Sequence, residues 1–153
     1  MEKQNLVRVL LITDDYKESL LALPLGDDLY RLDNSPWFAY GISSSDVVEA
    51  RPGKPGEPPV FVRVVEKSGN RTLRVYLQNP VEVEQGVFDP GVFKHPTLSR
   101  LLQVGCAVEG TNPHYFAVNV PPSTDFDSVC YHLSNSGDQW EYADPSDGRF
   151  SPL

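Results

Sequence analysis

The sequence predicts an α+β chain whose first half is all strands and whose second half mixes strands with two helices. Three observations point there. Up to Leu77 the chain shows β-branched runs and period-two alternation, with no helical stripe. Clean alternation on either side of Ser68-Gly69-Asn70 reads as a hairpin from Val60 to Leu77, because Gly and Asn tolerate left-handed dihedrals. From Arg71 onward the segments run strand, helix, strand, strand, helix, strand. The 14 prolines and 11 glycines among 153 residues favour short elements joined by turns.

Asn5–Thr13 (NLVRVLLIT) is apolar on both faces and reads as a central strand. Ser19–Leu25 reads as a strand ended or held at an edge by Pro24, and Gly26-Asp27-Asp28 as a turn. LYRLD is a short alternating strand. Tyr30–Ala50 (YRLDNSPWFAYGISSSDVVEA) is the densest stretch. Asp33-Asn34-Ser35-Pro36 is turn chemistry, and Trp37, Phe38 and Tyr40 read as a short aromatic strand. Ser43-Ser44-Ser45-Asp46 is a second turn before Val47-Val48. This alternation of turning and filling is expected to close a small barrel. The other possibility is that Asp33, Asn34 and Asp46 converge as acids or ligands; Asp in turns commonly serves local hydrogen bonding instead.

Ala50–Pro59 (ARPGKPGEPP) is a loop tip. Asn79–Lys94 reads as a long, partly packed connection. In HPTLSRLLQVG, Pro96 suits a first helical turn, Leu98, Leu101 and Leu102 share a stripe, and Gly105 suits the stop. CAVEG and HYFAVNV are strands flanking the turn TNP. In TDFDSVCYHLSNSG, Phe126, Val129, Cys130 and Leu133 repeat at helical spacing, Thr124 and Asp127 fit a capping box, and Gly137 ends the helix. QWEYAD is the last strand. The expected architecture is therefore a small β-barrel or bent antiparallel sheet over 1–68, joined through a shared hairpin to a ferredoxin-like βαββαβ half over 69–145. A tail follows over 146–153, and the shared hairpin predicts one cooperative unit.

The net charge is −8 and the hydrophobic fraction 40%. The latter is ordinary for a folded domain and too high for disorder. The charge provides no generic attraction to nucleic acid or anionic lipid, and it makes a basic partner electrostatically easier. The alternative reading is that the charge only keeps the protein soluble. The start MEKQNLVRVL lacks a secretory signal, and no apolar run is long enough to span a bilayer. Cys106 and Cys130 sit among apolar residues, as inert thiols of a reducing compartment do. The expectation is a cytoplasmic protein.

LDNSPWFAYGISSSDVV, FVRVVEKSGNRTLRV, GCAVEG and AVNVPP together resemble the bacterial family known as domain of unknown function 4265. Its pattern has a Leu-Asp-Asn-x-Pro-Phe block, then Gly-Asp-Val-Val, then a Ser-Gly-Asn-x-Thr turn. The resemblance runs from about Val7 to Asp144. Trp37 stands where Phe is usual and Ser45 where Gly is usual. The resemblance implies a small bacterial cytoplasmic protein and brings no activity, so no catalytic residue carries over.

No reaction signature is legible. His95, His114 and His132 belong to no metal-ligand pattern. His132 lies two positions after Cys130, on another helix face, which gives no thiol–imidazole pair. There is no nucleophile elbow, phosphate loop or dinucleotide fingerprint. The expectation is no catalytic residue, no cofactor and no metal.

One basic strip breaks the acidic background: Arg63, Lys67, Arg71 and Arg74, all on the expected hairpin, read either as a solvated strand face or as an anion- or partner-binding strip. The function expected is a non-catalytic binding protein for a macromolecular, basic protein partner, of the immunity or antitoxin kind. Asp125, Asp127, Asp138 and Glu141 are its candidate contacts. A small-ligand sensor and an enzyme of unrecognised type are the alternatives.

Overall fold

The computed structural model describes residues 5–82, 91–110 and 112–145. Five strands form a closed barrel: β1 (Val7–Ile12), β2 (Lys17–Gly26), β3 (Leu29–Leu32), β4 (Val47–Arg51) and β5 (Val60–Glu66). Neighbours in chain order pair antiparallel, and β5 closes on β1 through a short parallel contact, Leu10 opposite Val60. Closure removes free strand edges. Period-two alternation turns Leu20, Ala22, Val48 and Ala50 inward with Val9, Leu11 and Leu32.

The second half is a four-stranded antiparallel sheet in the order β7-β8-β6-β9, with β6 Arg71–Tyr76, β7 Ala107–Gly110, β8 Tyr115–Val120 and β9 Gln139–Asp144. Helices α1 (Gly91–Lys94) and α2 (Pro96–Gln103) precede β7, and α3 (Phe126–Ser134) precedes β9. Leu73, Val75, Phe116, Val118 and Val120 on one sheet face pack with Leu98, Leu101, Val129 and Leu133 of the helices. The fold is thus α+β, a barrel joined to a sheet covered by helices.

Several expectations are corrected. Val60 to Leu77 is not a hairpin. β5 pairs with β4 and β1, while β6 has β8 and β9 on its two edges, so Gly69 (φ +94°) turns the chain from one sheet into the other. Alternation told that both strands exist and not which neighbours they take. Trp37, Phe38 and Tyr40 form no strand; they lie in the connection from β3 to β4. The barrel closes through β1 and β5, and from the connection only Ala39 and Ile42 join its core. The N-cap of α3 is Asp125, which accepts from Asp127 N, while Thr124 Oγ1 donates to Val104 O. The tail over 146–153 and residues 83–90 of the expected connection lie outside the described residues.

Candidate functional site

The connection between β3 and β4 lies in the seam between the barrel and the sheet face turned away from the helices. Thr72, Arg74 and Tyr76 face it from β6 by period two. Tyr115 stands directly opposite Tyr76, and Ala117 opposite Arg74. Across the other edge Glu141 pairs with Arg74 and Gln139 with Tyr76. Hydrogen bonds bind the connection to this face along its length. Trp37 Nε1 donates to Glu109 O at 3.2 Å, and Tyr115 Oη donates to Trp37 O at 2.5 Å. Arg74 Nη1 donates to Ala39 O at 3.0 Å, and Gly41 N to Ala143 O at 2.8 Å. On the barrel side, Glu18 shares the inward face of Leu20 and Ala22. Its carboxylate accepts from the amides of Trp37, Phe38 and Ala39 at 2.8 to 3.2 Å.

At one end of the seam sits a buried polar cluster. Lys67 donates to Asp46 Oδ2 at 2.6 Å and to Asp144. Asp46 also accepts from Ser43 N and Ser68 N, at 2.9 and 2.8 Å. Ser43 Oγ lies 2.6 Å from both Thr72 Oγ1 and Asp144 Oδ2. Asp46, Ser43, Thr72 and Asp144 are all buried. Every donor and acceptor named here is occupied within the cluster, so it works as a clamp between the halves.

Further along, the seam opens as an aromatic surface. Phe38, Tyr40 and Tyr76 are 47, 59 and 47% exposed. Phe38 lies 6.1 Å from Tyr16 and stacks on Tyr115 at 6.3 Å, and Tyr76 stacks on His114 at 5.1 Å. Beneath them Arg74, 1% exposed, donates through Nε to Glu141 Oε1 at 3.0 Å and lies 4.5 Å under the Tyr40 ring. Tyr40 Oη donates to Glu141 Oε2 at 2.7 Å, which, ahead of burial, holds its phenol above the usual range. Burial first, then Glu18, raises Tyr16. Burial is also the main cause at Tyr115. A cavity of about 200 Å³ adjoins Arg74, Tyr76, Tyr115, Gln139, Trp140 and Glu141.

The sequence candidates fall differently. The basic strip is not a continuous surface. Arg63 is exposed and paired with Glu49 at 2.9 Å, Lys67 is held inside the clamp, Arg74 is buried, and Arg71 lies 4.4 Å over Phe126. Strand spacing put these cations near one another, and each then found its own carboxylate or ring. The four acids are not one patch either. Asp125 and Asp127 are exposed at the start of α3 and border a groove of about 380 Å³. Asp138 is turned inward, accepting from Gln78 N at 2.9 Å and Thr97 Oγ1 at 2.6 Å. Only Glu141 lies in the seam.

Asp33, Asn34 and Asp46 do not converge: Asn34 Oδ1 accepts from Leu21 N at 3.0 Å, Asp46 is in the clamp and Asp33 is exposed. The histidines each meet a main-chain carbonyl, His95 that of Asn79, His114 that of Leu77 and His132 that of Thr97. His132 is thus half-buried between two helices. Burial pushes the Cys106 thiol up to about 11 and also raises Cys130. Among the described residues no group of three or more His, Cys, Asp or Glu could hold a metal ion, and no helix is long and apolar enough to cross a membrane.

Fold and seam define a class: a closed five-stranded barrel clamped to an antiparallel sheet, with an aromatic surface where the two meet. The chain belongs to the family described as domain of unknown function (DUF4265), whose model matches residues 18–142. Three of the blocks that carry the resemblance meet in or beside the seam: Trp37 bonds to Glu109 O, Ser43 to Thr72, and Asp46 accepts from Ser68 N. The chain is also similar to a solved structure described as a novel crystal structure of a hypothetical protein from Neisseria gonorrhoeae. The two are 14% identical with a TM-score of 0.71, over 94% of this chain and 96% of that one. That likeness is one of fold. No curated protein matches.

Proposed function

We propose that the protein is a non-catalytic binding protein that engages a basic protein partner through the aromatic seam. The observation that carries this reading is the shared exposure of Phe38, Tyr40 and Tyr76 around the Arg74–Glu141 pair. Clustered exposed aromatics above a buried Arg supply the anchors that dominate protein interfaces. The exposed Asp15 next to Tyr16 and the half-exposed Glu141 give the surface its charge, and the net −8 steers a cationic partner toward it. Asp125 and Asp127 extend the acidic surface elsewhere. An immunity or antitoxin role against a basic bacterial toxin is the specific form of the proposal. The absence of catalysis is supported by histidines tied to main-chain carbonyls and by thiols raised above their usual range. Two free cysteines fit a cytoplasmic setting. The β7-β8-β6-β9 order supports a ferredoxin-like reading of the second half.

The test is a pull-down from the source lysate at low and at high salt. One basic protein retained in equal stoichiometry at low salt and weakened at high salt is the expected result. Retention of no protein at either salt contradicts the proposal. The runner-up, a small-ligand sensor, is favoured by the cavity beside Arg74.

A further inference from the structure

β9 is an outer strand of the four-stranded sheet and pairs with β6 alone. The ladder tells which of its main-chain groups are taken. Leu77 N donates to His114 O, so the odd-numbered residues of β6 bond toward β8 and the even-numbered ones toward β9. Gln139 and Glu141, opposite Tyr76 and Arg74, are therefore tied to β6. The N–H and C=O groups of Trp140 and Tyr142 point the other way, where no strand pairs with them among the described residues. Edge strands are usually guarded by Lys, Pro or a bulge. QWEYAD has neither Lys nor Pro, and its bulge, at Ala143, lies beyond Tyr142. The side chains along this edge divide by face. Trp140 and Tyr142, with ring centroids 5.0 Å apart, lie with Phe126 on the helix side, and Tyr142 is 51% exposed. Glu141 lies on the seam side, its side chain 45% exposed while that of its partner Arg74 is 1% exposed, so the charge this edge shows there is negative.

We propose that the free edge of β9 takes an extended segment of a basic partner as an added strand. The inference rests on the reading of the protein as a binder of a basic partner and names the element that docks. Strand addition draws affinity from main-chain hydrogen bonds and selectivity from alternate side chains. An added residue opposite Glu141 stands on the seam face, where a Lys or Arg meets the half-exposed carboxylate. Residues opposite Trp140 and Tyr142 stand on the helix face, where apolar side chains meet the two rings. The segment is therefore one that alternates basic and apolar residues. A second copy of this chain fits less well. β9 holds no cation to set against Glu141, and self-pairing brings together two chains of net charge −8 each.

The test uses the full chain and three blocked peptides: acetyl-Lys-Val-Lys-Val-Lys-amide, the same peptide N-methylated at both valines, and acetyl-Glu-Val-Glu-Val-Glu-amide. In the free protein the Trp140 and Tyr142 amides should exchange with solvent quickly while that of Glu141 stays protected. The Lys peptide should bind saturably in calorimetry and slow exchange at Trp140 and Tyr142 by at least about tenfold. N-methylation keeps charge and side chains but removes the two donors that face the edge, so it should weaken binding at least about tenfold, and the Glu peptide should be as weak. Glu141→Gln keeps an acceptor for Arg74 and should narrow the gap between the Lys and Glu peptides. Absence of saturable Lys-peptide binding, or equal binding of its N-methylated form, overturns the proposal. So does protection of Trp140 and Tyr142 in the free protein that grows with its concentration, which marks a second copy as the occupant. Any of these results strikes the docking element alone, because capture of the basic partner from lysate is read separately.

Discussion

The ammonium of Lys67 lies 2.6 Å from Asp46 Oδ2 and so ties the segment leaving the barrel to the turn that opens β4. The same nitrogen reaches Asp144 at the end of the last strand. Lys67→Met removes the cation that the buried carboxylates of Asp46 and Asp144 share. Removing one partner of a buried pair costs about 3–5 kcal/mol. With the Lys67 side chain 18% exposed, a loss near the lower end, about 3 kcal/mol, is expected in urea unfolding. A loss within about 0.5 kcal/mol, as for an ordinary surface position, would show the clamp to be slack.

Trp37 is the second tie, half-buried with its indole on Glu109 O. Trp37→Ala should cost about 3 kcal/mol from lost burial and the cavity left behind. Because Trp37 bonds to both halves, one unfolding transition should shift as a whole in calorimetry, with or without chelator and reductant. Two separated transitions in the variant would mean that the halves fold independently.

Ser45 has φ +69°, the left-handed region that costs a residue with a Cβ about 1 kcal/mol. Ser45→Gly, the residue usual at this place in the resemblance, should raise stability by up to about 1 kcal/mol in a thermal melt. A drop in melting temperature would mean that the Ser side chain carries a compensating bond.

The pH dependence follows from two raised groups. Burial, ahead of the Asp33 charge and against the Ser35 amide, holds Glu109 above its ordinary value of 4.5. The folded state therefore binds its proton more tightly than the unfolded state. Its contribution is fully present below pH 4.5 and is lost as the pH rises through the folded value. Glu109→Gln should hence stabilise at pH 7 relative to the unaltered protein, with the gain shrinking toward pH 4. Cys106 follows the same sign: its contribution is intact below 9 and is lost as pH rises toward 11, so it should resist thiol reagents at pH 8 until unfolding. Fast labelling of Cys106 in the folded protein would contradict that.

Strands and helices were legible because each carries its own periodicity. The stripe of Leu98 and Leu101 and the inward run of Leu20 and Ala22 needed only local spacing. What lies between elements was not. Val60–Glu66 and Arg71–Tyr76 alternate as hairpin arms do, and nothing in them tells that β6 has both edges filled by later strands. Phe38 and Tyr40 look like core aromatics because size and apolarity are visible in a sequence and exposure is not. Glu18 was the missed signal. An acid in period with Leu20 and Ala22 has to find donors, and it finds three amides of the seam. Tyr16, Tyr76 and Tyr115 come together from three strand ends, a juxtaposition no spacing encodes.

Binding through the aromatic seam is tested most directly by capture of the basic partner with Phe38→Ala/Tyr40→Ala beside the unaltered protein. Both side chains are about half exposed or more, so the variant should melt close to the unaltered protein. The double variant should retain its fold and lose the partner, with a drop in affinity of at least about tenfold, while Asp125→Asn/Asp127→Asn slows association only at low salt. A folded Phe38→Ala/Tyr40→Ala variant that captures the partner as well as the unaltered protein does would contradict it.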